Sequence, residues 1–340
     1  MSKVTLKKIA ETLGISTATV SKALKDYADV SPTTKSKVKA LAEKLNFKPN
    51  SYAQSLRTQE SKIIGLIIPQ IVHHFFANII LGVIKSAEKE GYLVITLQSD
   101  ESYDIEKEQL ELLLDKNVDG ILLSLADNTV RYKHISEIIN DGIPIVLYDK
   151  ISKSIECNKV VIDDKKAAYN ATKHLIDSGC KRIAHIRGRL KPQTTIDRFK
   201  GYKEALKAHN IPFDKSIVFE AKNIASFEDG KNVADEIFLN HKDVDGIFAM
   251  TDLLATGVLV RLKELNVKIP KDISIMGFSN WFLTRITTPK LSTVDQPGYK
   301  MGEEAFKILF EQINNTRKGI KAPYKTIEIP TEVIIRDSTK

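Results

Sequence analysis

Thr17, Ala18, Ser21 and Lys22 fall on one face of a predicted helix, Thr17–Leu24, because side chains three and four residues apart lie over one another on a helix. Three of them are small and the fourth is a cation. Side chains of this kind can approach base edges in a major groove, and the Lys can reach guanine acceptors or a phosphate. The plainer alternative is a polar surface on a small helical bundle. A second set, Asp149, Arg198 and Asp252, stands where predicted strands end or predicted helices begin. Carboxylates accept hydrogen bonds from hydroxyls, and a guanidinium donates a planar fork of N–H groups. Together they suit the capture of a small polar ligand. Each has a structural alternative: Asp149 as a turn or capping residue, Arg198 as a surface ion pair with Asp197 or Glu204, and Asp252 as a helix N-cap.

The first set needs a scaffold, and the sequence around it supplies one. Leu6, Ile9, Ala10 and Leu13 recur at the spacing of an amphipathic helix. Thr5 can cap its start, and Gly14 can end it by taking a left-handed conformation. Ser16 can cap the second helix, whose expected buried positions are Val20 and Leu24. Ser31-Pro32 places a capping residue before a proline at the first helical position. Val38, Leu41, Ala42 and Leu45 then form the stripe of a third helix. Two short helices across a Gly-containing turn, closed by a third, make a helix-turn-helix. Asn50–Thr58 is a further short segment, too short to be a stable helix alone. Within it, Leu56 could wedge into a minor-groove base step and Arg57 could meet the adjacent phosphates.

Charge agrees with that placement. The first 60 of the 340 residues carry eleven Lys and Arg against five carboxylates, so six of the net eight positive charges lie in less than a fifth of the chain. A basic block beside a near-neutral body points to a polyanionic partner. At 42% hydrophobic and 28% charged residues, the composition excludes a mainly disordered chain, a fibrous repeat and a membrane channel. Cys157 and Cys180 have no metal-site spacing, and the N-terminus has no apolar signal core. A reduced cytoplasmic protein is therefore expected.

Beyond residue 60, apolar runs alternate with helical patterns. Strands are expected at Ile63–Pro69, Tyr92–Gln98, Gly120–Ser124 and Ile145–Tyr148, with helices at 78–90, 105–116 and 135–140. A second series starts near Val160 and includes strands Ile183–Arg187, Ser216–Glu220, Gly246–Met250 and Ile273–Phe278, with helices at 166–178, 198–209, 228–240 and 253–265. Pro289–Gln296 reads as an extended connection, 301–314 as a helix and 326–335 as strand-like. The alternation implies parallel sheets flanked by helices, in two α/β lobes with a ligand cleft at the strand ends.

The run Val4-Thr5-Leu6-Lys7-Lys8-Ile9-Ala10, then Gly14-Ile15-Ser16 and Thr19-Val20-Ser21-Lys22-Ala23-Leu24, resembles the lactose/purine repressor family of bacterial transcription factors. Val30-Ser31-Pro32-Thr33-Thr34, Phe47-Lys48-Pro49-Asn50 and Ala53-Gln54-Ser55-Leu56-Arg57-Thr58 extend the match, and Leu291-Ser292-Thr293-Val294 and Ile329-Pro330-Thr331-Glu332 carry it to the C-terminus. The resemblance implies a helix-turn-helix domain at 1–47, a hinge at 48–60 and a periplasmic-binding-protein-like domain at 61–340. The N-lobe would be about 61–161 plus 293–325, and the C-lobe about 162–292 plus 326–340. It implies a homodimer on a near-palindromic double-stranded operator, controlled by a sugar-like effector. DNA contacts would come from Thr5, Ser16, Thr17, Ala18, Thr19, Ser21 and Lys22, and from Asn50, Tyr52, Ala53, Leu56 and Arg57 of the hinge. Effector contacts would come from Phe75, Phe76, Asp149, Thr194, Arg198, Asp252 and Ser279.

Two departures from the family pattern bear on the effector. His73-His74 stand where Asn-Pro is usual, and Ser279 stands where an Asp commonly holds sugar hydroxyls, with Trp281 close behind. No phosphate-binding G-x-x-x-x-G-K-S/T, G-x-S-x-G or H-E-x-x-H motif occurs. A non-catalytic protein without cofactor or metal is expected.

Overall fold

The structure, a computed structural model, describes residues 4–47, 60–224 and 226–340. The hinge residues named above, Asn50, Tyr52, Ala53, Leu56 and Arg57, lie outside the described residues. The chain divides into two compact units, 1–61 and 62–340.

The first unit is three helices, α1 (Leu6–Leu13), α2 (Thr17–Leu24) and α3 (Pro32–Lys44). Each begins on a side-chain cap: the hydroxyl of Thr5 accepts from the Lys8 N–H, Ser16 from Thr19, and Ser31 from Thr34. These caps occupy donors that a helix start otherwise leaves free. Gly14 ends α1 at φ 65°, a conformation that costs a glycine little. Ile9, Ala10, Val20, Ala23, Val30, Val38 and Ala42 form the core. Ala23 rather than Leu24 is the second fully buried position of α2, and Leu24 packs at the margin.

The second unit opens on a sheet whose central strands are buried on both faces. Its strands are β1 (Ile63–Ile68), β2 (Leu93–Gln98), β3 (Gly120–Leu123), β4 (Ile145–Tyr148) and β5 (Asn158–Ile162). Between them run α4 (His74–Lys89), α5 (Tyr103–Asp115) and α6 (Lys133–Asn140). The Ile63–Ile68 run, Ile-Ile-Gly-Leu-Ile-Ile, is buried beyond its first residue, as helices on both faces of a parallel sheet require.

The second lobe holds α7 (Asp164–Asp177), β6 (Ile183–Arg187), α8 (Gln193–Ala208), β7 (Val218–Glu220), α9 (Phe227–Asn240), β8 (Gly246–Ala249), α10 (Asp252–Glu264), β9 (Ser274–Met276) and the short α11 (Leu283–Ile286). β7, β6, β8 and β9 form a parallel sheet in that order. The chain then returns through β10 (Thr293–Asp295), α12 (Gly298–Arg317), β11 (Thr326–Ile329) and β12 (Glu332–Ile334). The first sheet has the order β11-β5-β4-β3-β1-β2.

That order corrects the expected lobe boundary at residue 326. The Thr326–Ile335 stretch is two strands, not one. Thr326–Ile329 pairs in parallel with Lys159–Ile162 of the first sheet, so it belongs to the N-lobe. Glu332–Ile334 pairs antiparallel with Thr293–Asp295. Farther on, Ser338 exchanges hydrogen bonds with Ile275 of β9. A run of alternating apolar residues shows that a strand exists but not which edge it joins.

α4 and α12 pack through reciprocal glycines. A Cβ on Gly82 would sit 2.2 Å from the Tyr299 carbonyl oxygen, and one on Gly302 would sit 2.3 Å from that of Ile79. Only hydrogen at both positions lets the two backbones approach this closely. Among the described residues no helix is long and apolar enough to cross a membrane, and both cysteines are buried and free.

Candidate functional site

On the first unit, Thr17, Ala18 and Lys22 of α2 are exposed, while Ser21 and Thr19 are half-buried. Val20 and Ala23 anchor the opposite face in the core. The fold therefore presents Thr17, Ala18 and Lys22 on the side of α2 away from its core. Thr5 and Ser16 are exposed as well, but each hydroxyl already accepts a backbone N–H as a cap, and that of Ser16 also bonds the Thr19 hydroxyl. Lys22 is ion-paired with Asp29, a partner the sequence reading did not anticipate. Contact with a DNA phosphate would exchange one anion for another.

In the second unit, a cavity of about 370 Å³ opens where the C-terminal ends of the strands in the two sheets face each other. Phe75, Phe76, Asp149, Thr194, Arg198 and Ser279 all line it. Phe75 and Phe76 lie in the first turn of α4, with ring centroids 5.3 Å apart. They face the cavity and also belong to the lobe core.

Arg198 sits in the second turn of α8, which begins at Gln193 rather than at Arg198 itself. Thr194 is accordingly the second residue of the helix. Arg198 is 5% exposed. Its Nε donates to Oδ1 of Asp164 at 2.7 Å, and its Nη1 donates to the Met250 carbonyl at 2.9 Å. The guanidinium carbon lies 3.7 Å from the centroid of the Phe278 ring, a cation–π geometry. The partner is thus a buried carboxylate from α7, neither Asp197 nor Glu204. Burial pushes the Asp164 carboxyl up to about 7, with Arg198 opposing. Nη2 makes no hydrogen bond among the described residues and remains for the cavity.

Asp149 follows β4 at φ 56° and Ser279 follows β9 at φ 113°. Non-glycine residues adopt such angles at a cost, which the surroundings must offset. Here the Ser279 hydroxyl donates to Oε1 of Gln296 at 3.1 Å, and Nε2 of Gln296 donates to Asp149 Oδ1 at 3.2 Å. Gln296, on the returning connection after β10, therefore links the strand ends of the two lobes. Burial raises the Asp149 carboxyl, opposed chiefly by the charge of Lys150.

Asp252 is the exception. It stands behind the cavity wall, and its carboxylate accepts from the Trp281 N–H at 2.7 Å and from the Thr293 hydroxyl at 2.6 Å. It is not the N-cap either, because Thr251 caps α10 and Asp252 is its first residue. Asp252 fixes the 279–281 turn against β10.

Sequence reasoning missed the rest of the cavity. Lys150 is buried and ion-paired to Glu101 at 2.5 Å and to Asp127. His73 lines the wall with its Nδ1 buried and unpartnered, and burial pushes it down to about 4. His73 and His74 both stack on Trp281, with centroids at 6.5 and 6.1 Å. Arg189, Lys191 and Lys222 stand on the loops after β6 and β7. The signal available in sequence was position: each cavity residue follows a strand or opens a helix, as in open α/β sheets generally.

A three-helix reader with an exposed polar helix, and a two-lobed α/β unit with a cleft at its strand ends, define a regulator with separate DNA-binding and ligand-binding parts. Residues 61–335 match the family described as periplasmic binding proteins and sugar binding domain of LacI family, and residues 5–50 match bacterial regulatory proteins, lacI family. The chain belongs to the lacI family of bacterial regulatory proteins. It is 31% identical over 338 residues to the HTH-type transcriptional repressor PurR of Vibrio atlanticus (strain LGP32), covering 99% of this chain and 98% of the relative. It is 32% identical over 339 residues to the ribose operon repressor of Halalkalibacterium halodurans, covering 99% and 97%. Its fold matches that of the lac repressor dimer bound to operator and the anti-inducer ONPF, at a TM-score of 0.87 and 21% identity, over 99% of each chain.

Proposed function

We propose that this protein is a transcriptional repressor whose affinity for a near-palindromic operator is set by a hydroxylated small molecule in the cleft, and that it acts as a homodimer in the cytoplasm. The observation that carries this reading is the link Ser279–Gln296–Asp149, which ties the two lobes at the floor of the cavity. A ligand whose hydroxyls compete for Asp149 and for Nη2 of Arg198 would favour one lobe angle over another. Only such differential binding shifts a conformational equilibrium. A coupling of about 1–3 kcal/mol would change operator affinity roughly 5–150-fold.

Thr17, Ala18, Ser21 and Lys22 would face the major groove, with Asn50, Tyr52, Ala53, Leu56 and Arg57 of the hinge in the minor groove. Phe75, Phe76, Thr194, Arg198 and Ser279 would surround the effector. The ribose operon repressor among the relatives supports a sugar-like ligand. The test is operator binding by the full chain, followed by fluorescence anisotropy across a sugar panel. The reading expects at least one sugar to shift affinity fivefold or more in the wild type and not in Arg198→Lys. No shift with any ligand, or an equal shift in both proteins, would overturn it.

A further inference from the structure

The cavity is not electrostatically even. On the N-lobe side its cation is neutralised: Lys150 is held by Glu101 and Asp127. At the centre Arg198 is held by Asp164. On the C-lobe side three more cations line the wall, Arg189, Lys191 and Lys222, and none makes an ion pair or hydrogen bond among the described residues.

The fold groups these three. β6 and β7 are neighbouring parallel strands, paired from His185 with Val218 to Arg187 with Glu220. The loops that leave their C-terminal ends carry Arg189 and Lys191 on one side and Lys222 on the other. The carboxylates nearest in sequence are engaged elsewhere. Glu220 pairs with Arg187, Asp197 accepts from Gln193, and Asp229 accepts from the Asn223 N–H and caps α9 with Ser226. Cations without a protein partner along one wall favour an anionic ligand group there.

The same wall offers donors. The loop bearing Arg189 and Lys191 runs into α8, a sixteen-residue helix with no side-chain cap and no acidic residue in its first turn. Its second residue, Thr194, lines the cavity at 6% exposure, and its hydroxyl makes no hydrogen bond among the described residues. A cavity-facing hydroxyl without a protein partner, free helix N–H groups and three cations on the adjoining loops match the oxygens of a tetrahedral anion.

We infer that the effector carries a phosphate: a phosphorylated sugar or polyol whose hydroxylated body meets Asp149, Gln296 and Arg198 and whose phosphate meets Arg189, Lys191, Lys222 and Thr194. This rests on the cavity being the effector site and names the ligand class it takes. A neutral sugar would meet Asp149, Gln296 and Arg198 but would leave those three cations without an anionic partner.

The experiment uses the full chain and the variant Arg189→Ala/Lys191→Ala/Lys222→Ala. All three positions are exposed on loops, and circular dichroism checks that the variant folds. Thermal midpoints are titrated with inorganic phosphate, with glucose and glucose 6-phosphate, and with ribose and ribose 5-phosphate, at constant ionic strength. Phosphate should bind the wild type at least tenfold more tightly than the variant, which cancels any contribution from the basic first unit. At least one phosphate ester should bind tenfold more tightly than its parent sugar, and the variant should lose that preference. A parent sugar that binds as well as its ester and shifts operator affinity would overturn the phosphate and leave the proposed function standing. An unchanged phosphate response in the variant would overturn the assignment of the three cations. Tighter binding of a phosphoseryl peptide than of every ester would also overturn it, by moving the charge to a protein partner.

Discussion

Arg198 and Asp164 form a buried ion pair, Nε to Oδ1 at 2.7 Å, that joins α8 to α7 beneath the cavity. The pair has two functions that mutation can separate. It holds the guanidinium in register, and it neutralises a carboxylate that burial disfavours.

Removing one partner should therefore cost more than removing both. Arg198→Ala leaves Asp164 buried without its cation and should lower the unfolding free energy by about 3–5 kcal/mol. Asp164→Asn in the same chain should restore part of that loss. Urea unfolding of the two single variants and the double variant measures the coupling, and simple additivity would show that the pair contributes nothing jointly.

Gly201 sets how closely the two helices bearing that pair approach. A Cβ there would lie 2.1 Å from the Lys165 carbonyl oxygen. Gly201→Ala should force α8 away from α7, cost about 1–3 kcal/mol as overpacking does, and weaken ligand binding along with stability. A variant with normal ligand affinity would mean that the Arg198 geometry tolerates the shift.

His185 should make the protein sensitive to acid. It is fully buried and stacked between Tyr202 and Phe248, and its Nδ1–H donates to the Phe248 carbonyl at 2.9 Å. Burial pushes it down to about 4 from the ordinary 6.5. Between those values the unfolded chain binds the proton and the folded chain does not. Stability is then complete above about pH 6.5 and declines as pH falls toward 4, by about 2 kcal/mol at pH 5. Denaturant midpoints at pH 7 and pH 5 should differ less in His185→Phe than in the wild type.

Asp29 should restrain DNA binding by occupying Lys22. Both side chains are exposed, so the effect is modest. Asp29→Asn should raise operator affinity roughly two- to fivefold, and Lys22→Ala should abolish the gain. Filter binding at a fixed salt concentration checks this, since affinity for DNA falls steeply with salt.

Gln296→Ala should uncouple the lobes. Asp149 would lose the amide that donates to it, and its carboxyl would rise further. A loss of about 1–2 kcal/mol in stability and a smaller ligand-induced change in operator affinity are expected, with operator affinity in the absence of ligand measured alongside.

Much of the molecule was legible because its causes are local. Thr5, Ser16 and Ser31 cap helices through bonds that span three residues, and Gly14 ends α1 by its own backbone angle. Periodicity located the strands and helices of both lobes, the rule that ligands sit at strand ends picked out Asp149 and Arg198, and the family resemblance added Thr194 and Ser279; all four line the cavity. Asp252 met the same positional rule yet lies behind the wall, because position after a strand does not say which way a carboxylate turns.

What the sequence by itself determined is the set of local elements and the basic reader at their head. Tertiary structure decided which distant groups share charge and hydrogen bonds. Asp164 meets Arg198 across 34 positions, Gln296 meets Asp149 across 147, and Thr326–Ile329 joins the first sheet beside β5 rather than the second. No periodicity carries such pairings, because they follow from the way strands stack and helices cross. The same is true of Arg189, Lys191 and Lys222: the sequence showed three cations, and the pairing of β6 with β7 brought them to one wall of the cavity.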